Sequence, residues 1–407
     1  MTENALRAER QIKIEEIVPE GPIAREPMER PENKARDILH RFIAQLNSTD
    51  PEILEEVEEI ENLDNIDLDE LANISLDDEK IEIKDEKKPF TAWRPKFTLR
   101  NHLNTVRSLD YHPKEPILLS AGDDGCVKLW NLKAAGHDKE PICTFREHIG
   151  AVNCVAFGGS TGIFYSAGVD STVNVWNLPS LDRTPYDPYP TSYLKTSLVG
   201  HTDIVWGLAA HPHIPNLAVS CSSDGTVKLW NHLKDNSVVQ SRKFDSAPTA
   251  VQFLSSDSSK IAVTTRDNQL NILDISNFAI LSSVKLDDSV DSQPNCITSS
   301  PFNELVLIGH QDKCVRYVDL KSNNVVDSVL VHLDSVTDIC MNSAGDNFVT
   351  CSADGSFRIW DMSFNCMQES PAHRSKLNES ALCVQYHKSF DLLATGGADS
   401  LLKIFSK

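Results

Sequence analysis

One phrase recurs through the second part of the chain and restricts what it can fold into. It runs Ser or Thr, then Asp four residues later, then an aromatic residue six further on. The strong copies are Ser120/Asp124/Trp130, Ser166/Asp170/Trp176, Ser220/Asp224/Trp230, Thr350/Asp354/Trp360 and Thr395/Asp399/Phe405. Two weaker copies keep only the aspartate: Asp267 with Leu273, and Asp312 with Val318. A period of this length marks a repeat architecture in which each unit must stack on its neighbours to bury its faces.

Local chemistry says what each unit builds. Segments such as VKLWN alternate side chains with the period of a strand, and DDG or SDG between them are tight-turn signals. Each unit therefore reads as four short antiparallel strands, and seven units predict a seven-bladed WD-repeat β-propeller, an all-β fold. His102, His148, His201, His332 and His373 each precede a strong copy, while blades 4 and 5 lack an equivalent. His, Ser/Thr, Asp and Trp together predict a structural hydrogen-bonded tetrad, because the indole only donates and the carboxylate only accepts. A Ser-His-Asp catalytic triad is the alternative. It is set aside because a catalytic set is normally unique, and this one recurs from blade to blade.

The last copy ends one strand short, at Lys407. The segment PKFTLRNH matches PICTFREH, the outer-strand segment that follows Trp130. Lys96–Arg100 is therefore expected to supply the outer strand of blade 7 and close the ring, removing an exposed edge.

Residues 1–90 differ in composition from residues 91–407, the predicted propeller. They form an acidic arm with 26 acidic and 12 basic side chains, so −14 of the net charge of −20 lies there. Ile38, Leu39, Phe42, Ile43 and Leu46 suit a short amphipathic helix, and the acid-rich stretch from Glu52 to Glu79 suits a solvated linker or a segment that folds on a basic partner. The negative balance opposes a broad nucleic-acid surface. No apolar run is long enough to span a bilayer. The ten cysteines include no C-x-x-C pair, which fits reduced thiols and a cytoplasmic location. No metal site or cofactor is expected. His211-Pro212-His213 lacks further clustered ligands, and no Gly-rich phosphate loop appears.

Two partner surfaces are candidates. Arg107, Asn153, Trp206 and Thr337 follow a valine at equivalent points of four first strands. Arg and Trp are hot-spot residue types, although blade-to-blade packing explains the same positions. The connection Leu178–Leu198 holds Tyr186, Tyr189 and Tyr193 among Pro185, Pro188 and Pro190, a stiff loop with large contact area.

Between the repeats the sequence resembles the striatin family. TAWRPKFTLRNH, VRSLDYHPKEPILLSAGDDGCVKLWNL, PYDPYP and GHTDIVWGLA carry the resemblance, which runs in order over residues 91–407. It implies a non-enzymatic signalling scaffold that joins protein phosphatase 2A subunits and Ste20-type kinases. It also implies association with Mob-like proteins, calmodulin and caveolin, and peripheral membrane location. The family's N-terminal coiled coil drives self-association and phosphatase contact. Residues 1–90 lack sustained heptads, so the chain is expected to be either a short form or an incomplete one. The runner-up is the substrate-recognition propeller of a ubiquitin ligase, which calls for a recruiting element such as an F-box in the arm. An enzyme on a propeller calls for a unique polar constellation at the channel mouth, and none is found.

Overall fold

The strands of the described residues form seven four-stranded antiparallel sheets. The computed structural model describes residues 91–133, 139–159, 162–183, 186–234, 237–287 and 292–407; the expectations for the acidic arm lie outside them. Six sheets use four consecutive strands each. They span residues 106–145, 152–199, 205–243, 248–285, 294–330 and 336–371, here blades 1 to 6. First strands of successive blades contact one another around the ring, and the first strand of blade 1 contacts that of blade 7.

Blade 7 is discontinuous in sequence. Its inner three strands are Ala381–Tyr386, Leu392–Gly397 and Leu401–Ser406, and its outer strand is Arg94–Arg100. The pairing runs from Arg94 opposite Ser406 to Arg100 opposite Leu401. The closing strand thus begins two residues before the expected Lys96. Lys96 sits in a register shift between Pro95 and Phe97, so the earlier residues pair again after one is skipped. Leu99 is fully buried with Leu402 and Ile404 of its own blade and with Val106, Leu118 and Trp130 of blade 1. This shared cluster joins the two ends of the ring through apolar contact as well as through strand pairing.

The turn after each tetrad-type aspartate demands an unusual backbone. Gly125, Ser171, Gly225, Asn268, Lys313, Gly355 and Ser400 all have φ between 59° and 87°. Every blade therefore uses the left-handed region at the same place, and only three blades provide the glycine that suits it best. Among the described residues, no helix is long and apolar enough to cross a membrane.

Candidate functional site

The recurring His, Ser/Thr and Asp side chains are consumed in bonding within their own blades. In blade 3 the Trp230 indole donates to Ser220 Oγ at 2.7 Å, Ser220 lies 2.7 Å from His201 Nε2, and His201 Nδ1 lies 2.8 Å from Asp224. The same chain links Trp130, Ser120, His102 and Asp124 in blade 1, with distances of 2.7 to 2.9 Å. It links Trp176, Ser166, His148 and Asp170 in blade 2. Blade 6 uses Trp360, Thr350, His332 and Asp354. Blade 7 stops at Thr395, His373 and Asp399, since Phe405 has no donor. A neutral imidazole with its proton on Nδ1 satisfies every partner: indole to hydroxyl, hydroxyl to Nε2, Nδ1 to carboxylate. The five tetrad hydroxyls, on Ser120, Ser166, Ser220, Thr350 and Thr395, are all fully buried.

Electrostatics agree with that proton arrangement. Burial alone raises the Asp224 carboxyl, but bonds from Thr226, His201 and the Thr202 amide outweigh it and hold it at about 2. Burial lowers His201, and the bond to Asp224 only partly offsets that.

Blades 4 and 5 dispense with the tetrad by replacing its members together. Val263 and Leu273 stand opposite each other's neighbours in blade 4 and are fully buried, as are Ile308 and Val318 in blade 5. Replacing both ends of a buried hydrogen bond by apolar groups leaves no orphan. The aspartates find other partners. Thr265, two positions beyond Val263, donates to Asp267 at 2.5 Å. Arg316, itself buried, donates to Asp312 at 2.6 Å and also to Asp287. His310 occupies the position of Gly122 in blade 1 and points Nδ1 at the Ser292 carbonyl, 2.8 Å away. At Gly122 an added Cβ would meet the Thr105 carbonyl oxygen at 2.4 Å, with the tetrad His102 ring at 3.4 Å. Blades 3 and 6 place Ser222 and Ser352 here beside their tetrad histidines, donating to the Asp203 and Asp334 carbonyls, so a small side chain is also accommodated. Sequence reading missed these substitutions because the compensating side chains sit at positions within the phrase that hold no tetrad member.

The candidates on the first strands occupy one structural position. Each lies in a register shift: Arg107 between Val106 and Ser108, Asn153 between Val152 and Cys154, Trp206 between Val205 and Gly207, and Thr337 between Val336 and Asp338. Asn153 donates to the Val205 carbonyl of the next blade at 3.0 Å, and Thr337 to the Ala381 carbonyl at 2.8 Å. Arg107 bridges Asp123 of its own blade and Glu379 of blade 7. These three tie blades together. Trp206 is different: it is 47% exposed, and its indole donates to Ser223 of its own blade.

Three further apolar side chains stand beside the tetrads. Leu103, Ile149 and Leu333 directly follow tetrad histidines, and each is at least 76% exposed. Their amides are pinned to Asp124, Asp170 and Asp354 at 3.1 to 3.2 Å. The tetrad thus presents an apolar residue outward from a fixed backbone. The recurring His-Leu, His-Ile and His-Leu dipeptides were the available signal.

The Tyr-Pro connection packs on blade 1. Tyr189 and Tyr193 lie edge-on to Phe145, with centroids 6.1 and 6.0 Å away. Arg183 lies over the Tyr193 ring and donates to the Asp187 and Pro188 carbonyls and to the Tyr193 hydroxyl. Tyr186 remains 84% exposed. Pro185 lies outside the described residues. The His211 ring caps a turn, accepting from the His213 and Ile214 amides at 3.0 and 2.8 Å.

Comparison with known proteins matches this geometry. The WD40 family (WD domain, G-beta repeat) matches residues 93–131, 139–177, 192–231, 324–361 and 364–406. Blades 4 and 5, which lack the tetrad, are largely the ones outside those matches. Human Striatin-3 is 36% identical over 329 residues, covering 77% of this chain and 41% of its own length. Human Striatin-4 is 36% identical over 355 residues, covering 83% of this chain and 47% of its own. Mouse Striatin is 34% identical over 332 residues, covering 77% and 42%. The chain spans less than half the length of these curated relatives. Its ring of WD repeats, with likeness continuing through the sequence between them, places the chain among the WD-repeat homologues of the striatin family.

Proposed function

We propose that this chain is a non-enzymatic signalling scaffold whose propeller is a protein-interaction platform, acting at the cytoplasmic side and peripherally at membranes. In this reading it brings protein phosphatase 2A subunits together with Ste20-type kinases and Mob-like proteins, and it binds calmodulin. The observation that carries it is the disposition of the tetrads. Their polar groups are saturated internally, while the residues beside them, Leu103, Ile149 and Leu333, are held outward as exposed apolar contacts. An array of such side chains on rigid backbone suits protein docking. The likeness to striatins favours the phosphatase and kinase assembly over the ubiquitin-ligase alternative.

Quantitative mass spectrometry of proteins co-purifying with tagged 1–407 and tagged 91–407 tests this. Recovery of phosphatase and kinase subunits with 1–407 supports the scaffold. Loss of phosphatase alone from 91–407 assigns that contact to the arm. Recovery of ubiquitin-ligase subunits in their place sinks the proposal.

A further inference from the structure

The connection between the third and fourth strands of blade 2 does more than cover blade 1. With the outer strand of blade 1 it walls a cavity of about 500 Å³, a size typical of ligand clefts. One wall is the stretch Glu140–Thr144 with Glu147; the other is Arg183, Tyr186, Asp187 and Tyr189. The outer strand, Cys143–Phe145, has three residues, whereas the fourth strands of blades 2 to 6 have six or seven. It is the edge of its sheet, so its outward backbone groups have no strand beside them among the described residues. Cys143 and Phe145 are themselves buried, so this edge is covered rather than open to a further strand.

The opposite wall is built to stay in place. Arg183 ties Asp187, Pro188 and Tyr193 together, and Tyr189 and Tyr193 pack on each other at 5.4 Å as well as on Phe145. Tyr186 is left over. Its hydroxyl reaches Glu140 at 3.3 Å, a long bond that spans the two walls. Glu140 and Glu147 form no ion pair among the described residues. Arg183 is engaged within its own loop, which leaves Arg146 as the other cation in the lining. An exposed tyrosine ring beside an unpaired carboxylate attracts a cation through both its face and its charge.

We propose that this cleft binds an arginine- or lysine-bearing segment of a partner protein. The segment sets its cation between Tyr186 and Glu140, with Glu147 nearby. The inference deepens the reading of the 178–198 connection as a partner surface. It does not depend on which proteins the chain assembles.

The test is selection of a phage-displayed library of random peptides on the full chain, followed by affinity measurements with synthetic versions of the enriched sequences. Enriched peptides should carry Arg or Lys. Their affinity should fall at least about tenfold for Tyr186→Ala and for Glu140→Gln, and stay within about twofold for Tyr186→Phe. Replacing the peptide cation by Glu should weaken binding about as much. Tyr186 and Glu140 are exposed, so both variants should unfold at the unaltered temperature. No enrichment, enriched peptides without a cation, or equal binding to both variants overturns the proposal. Absence of co-purifying phosphatase and kinase would refute the scaffold reading and leave this result intact either way.

Discussion

Gln368 grips the backbone of Trp93 with both ends of its amide: the Trp93 N–H donates to Oε1 at 2.8 Å, and Nε2 donates to the Trp93 carbonyl at 2.9 Å. Gln368 belongs to the outer strand of blade 6 and Trp93 directly precedes the closing strand of blade 7. The Trp93 ring is buried against Tyr386, 5.6 Å between centroids. The closing strand is therefore held by its own sheet and by the blade before it. Gln368→Ala should cost about 2 kcal/mol, two net hydrogen bonds' worth, read as a lower midpoint in urea unfolding. Deleting residues up to Leu99 should cost far more, because it uncovers the edge of Leu401–Ser406 and empties the Leu99 site. Deletion of residues 1–89 should leave the midpoint nearly unchanged. Equal midpoints for the two deletions would refute this account of closure.

Ser220→Ala removes the hydroxyl shared by Trp230 and His201 and strands both groups at zero or near-zero exposure. Each buried orphan costs roughly 1–3 kcal/mol, so a loss of about 3 kcal/mol is expected. Thermal unfolding of the variant checks it, and a change under 1 kcal/mol would mean that water replaces the hydroxyl.

In blade 5 the equivalent burden falls on Arg316. Arg316→Leu leaves Asp312 and Asp287 without their shared cation. Both carboxylates are partly exposed, so the expected cost is about 2 kcal/mol, below the ~3–5 kcal/mol of a fully buried pair. The same change at Lys128, which occupies the matching strand position in blade 1 and donates to the Asn101 carbonyl, should cost less. A denaturant series on both variants distinguishes the two blades.

Acid should act on blade 3 in two windows. His201 is held below its ordinary value by burial, so the unfolded chain takes up a proton that the folded blade resists. Stability from this group is present above about pH 6.5 and declines as pH falls below it. Asp224 is held at about 2, so its contribution is present above about pH 4 and is lost as pH falls towards 2. Unfolding free energy measured from pH 7 to pH 3 should decline through both windows. His201→Gln should flatten the upper one selectively.

Of Arg107, Asn153, Trp206 and Thr337, Trp206 is the one with no hydrogen bond across a blade boundary among the described residues. Trp206→Ser should leave the unfolding temperature within about 1 °C, since exposed side chains contribute little. It should lower recovery of co-purifying partners if this exposed bulge is a docking surface.

How much was legible beforehand divides along a physical line. Blade number, the tetrads and the donated strand were readable because turn chemistry, strand alternation and donor–acceptor complementarity are local and recur at a fixed period. The sequence also carried its likeness to striatins in the segments between repeats. It did not reveal that Thr265, His310 and Arg316 take over where the histidine is missing, since each sits between the tetrad positions of the phrase and acts only through folded neighbours. Nor did equivalent position disclose equivalent role. Arg107, Asn153, Trp206 and Thr337 share one bulge, yet three face a carboxylate or carbonyl across a blade boundary and one faces solvent. Strand position is set by near-neighbour patterning. What a side chain meets there depends on the next blade, which only the closed ring brings within reach.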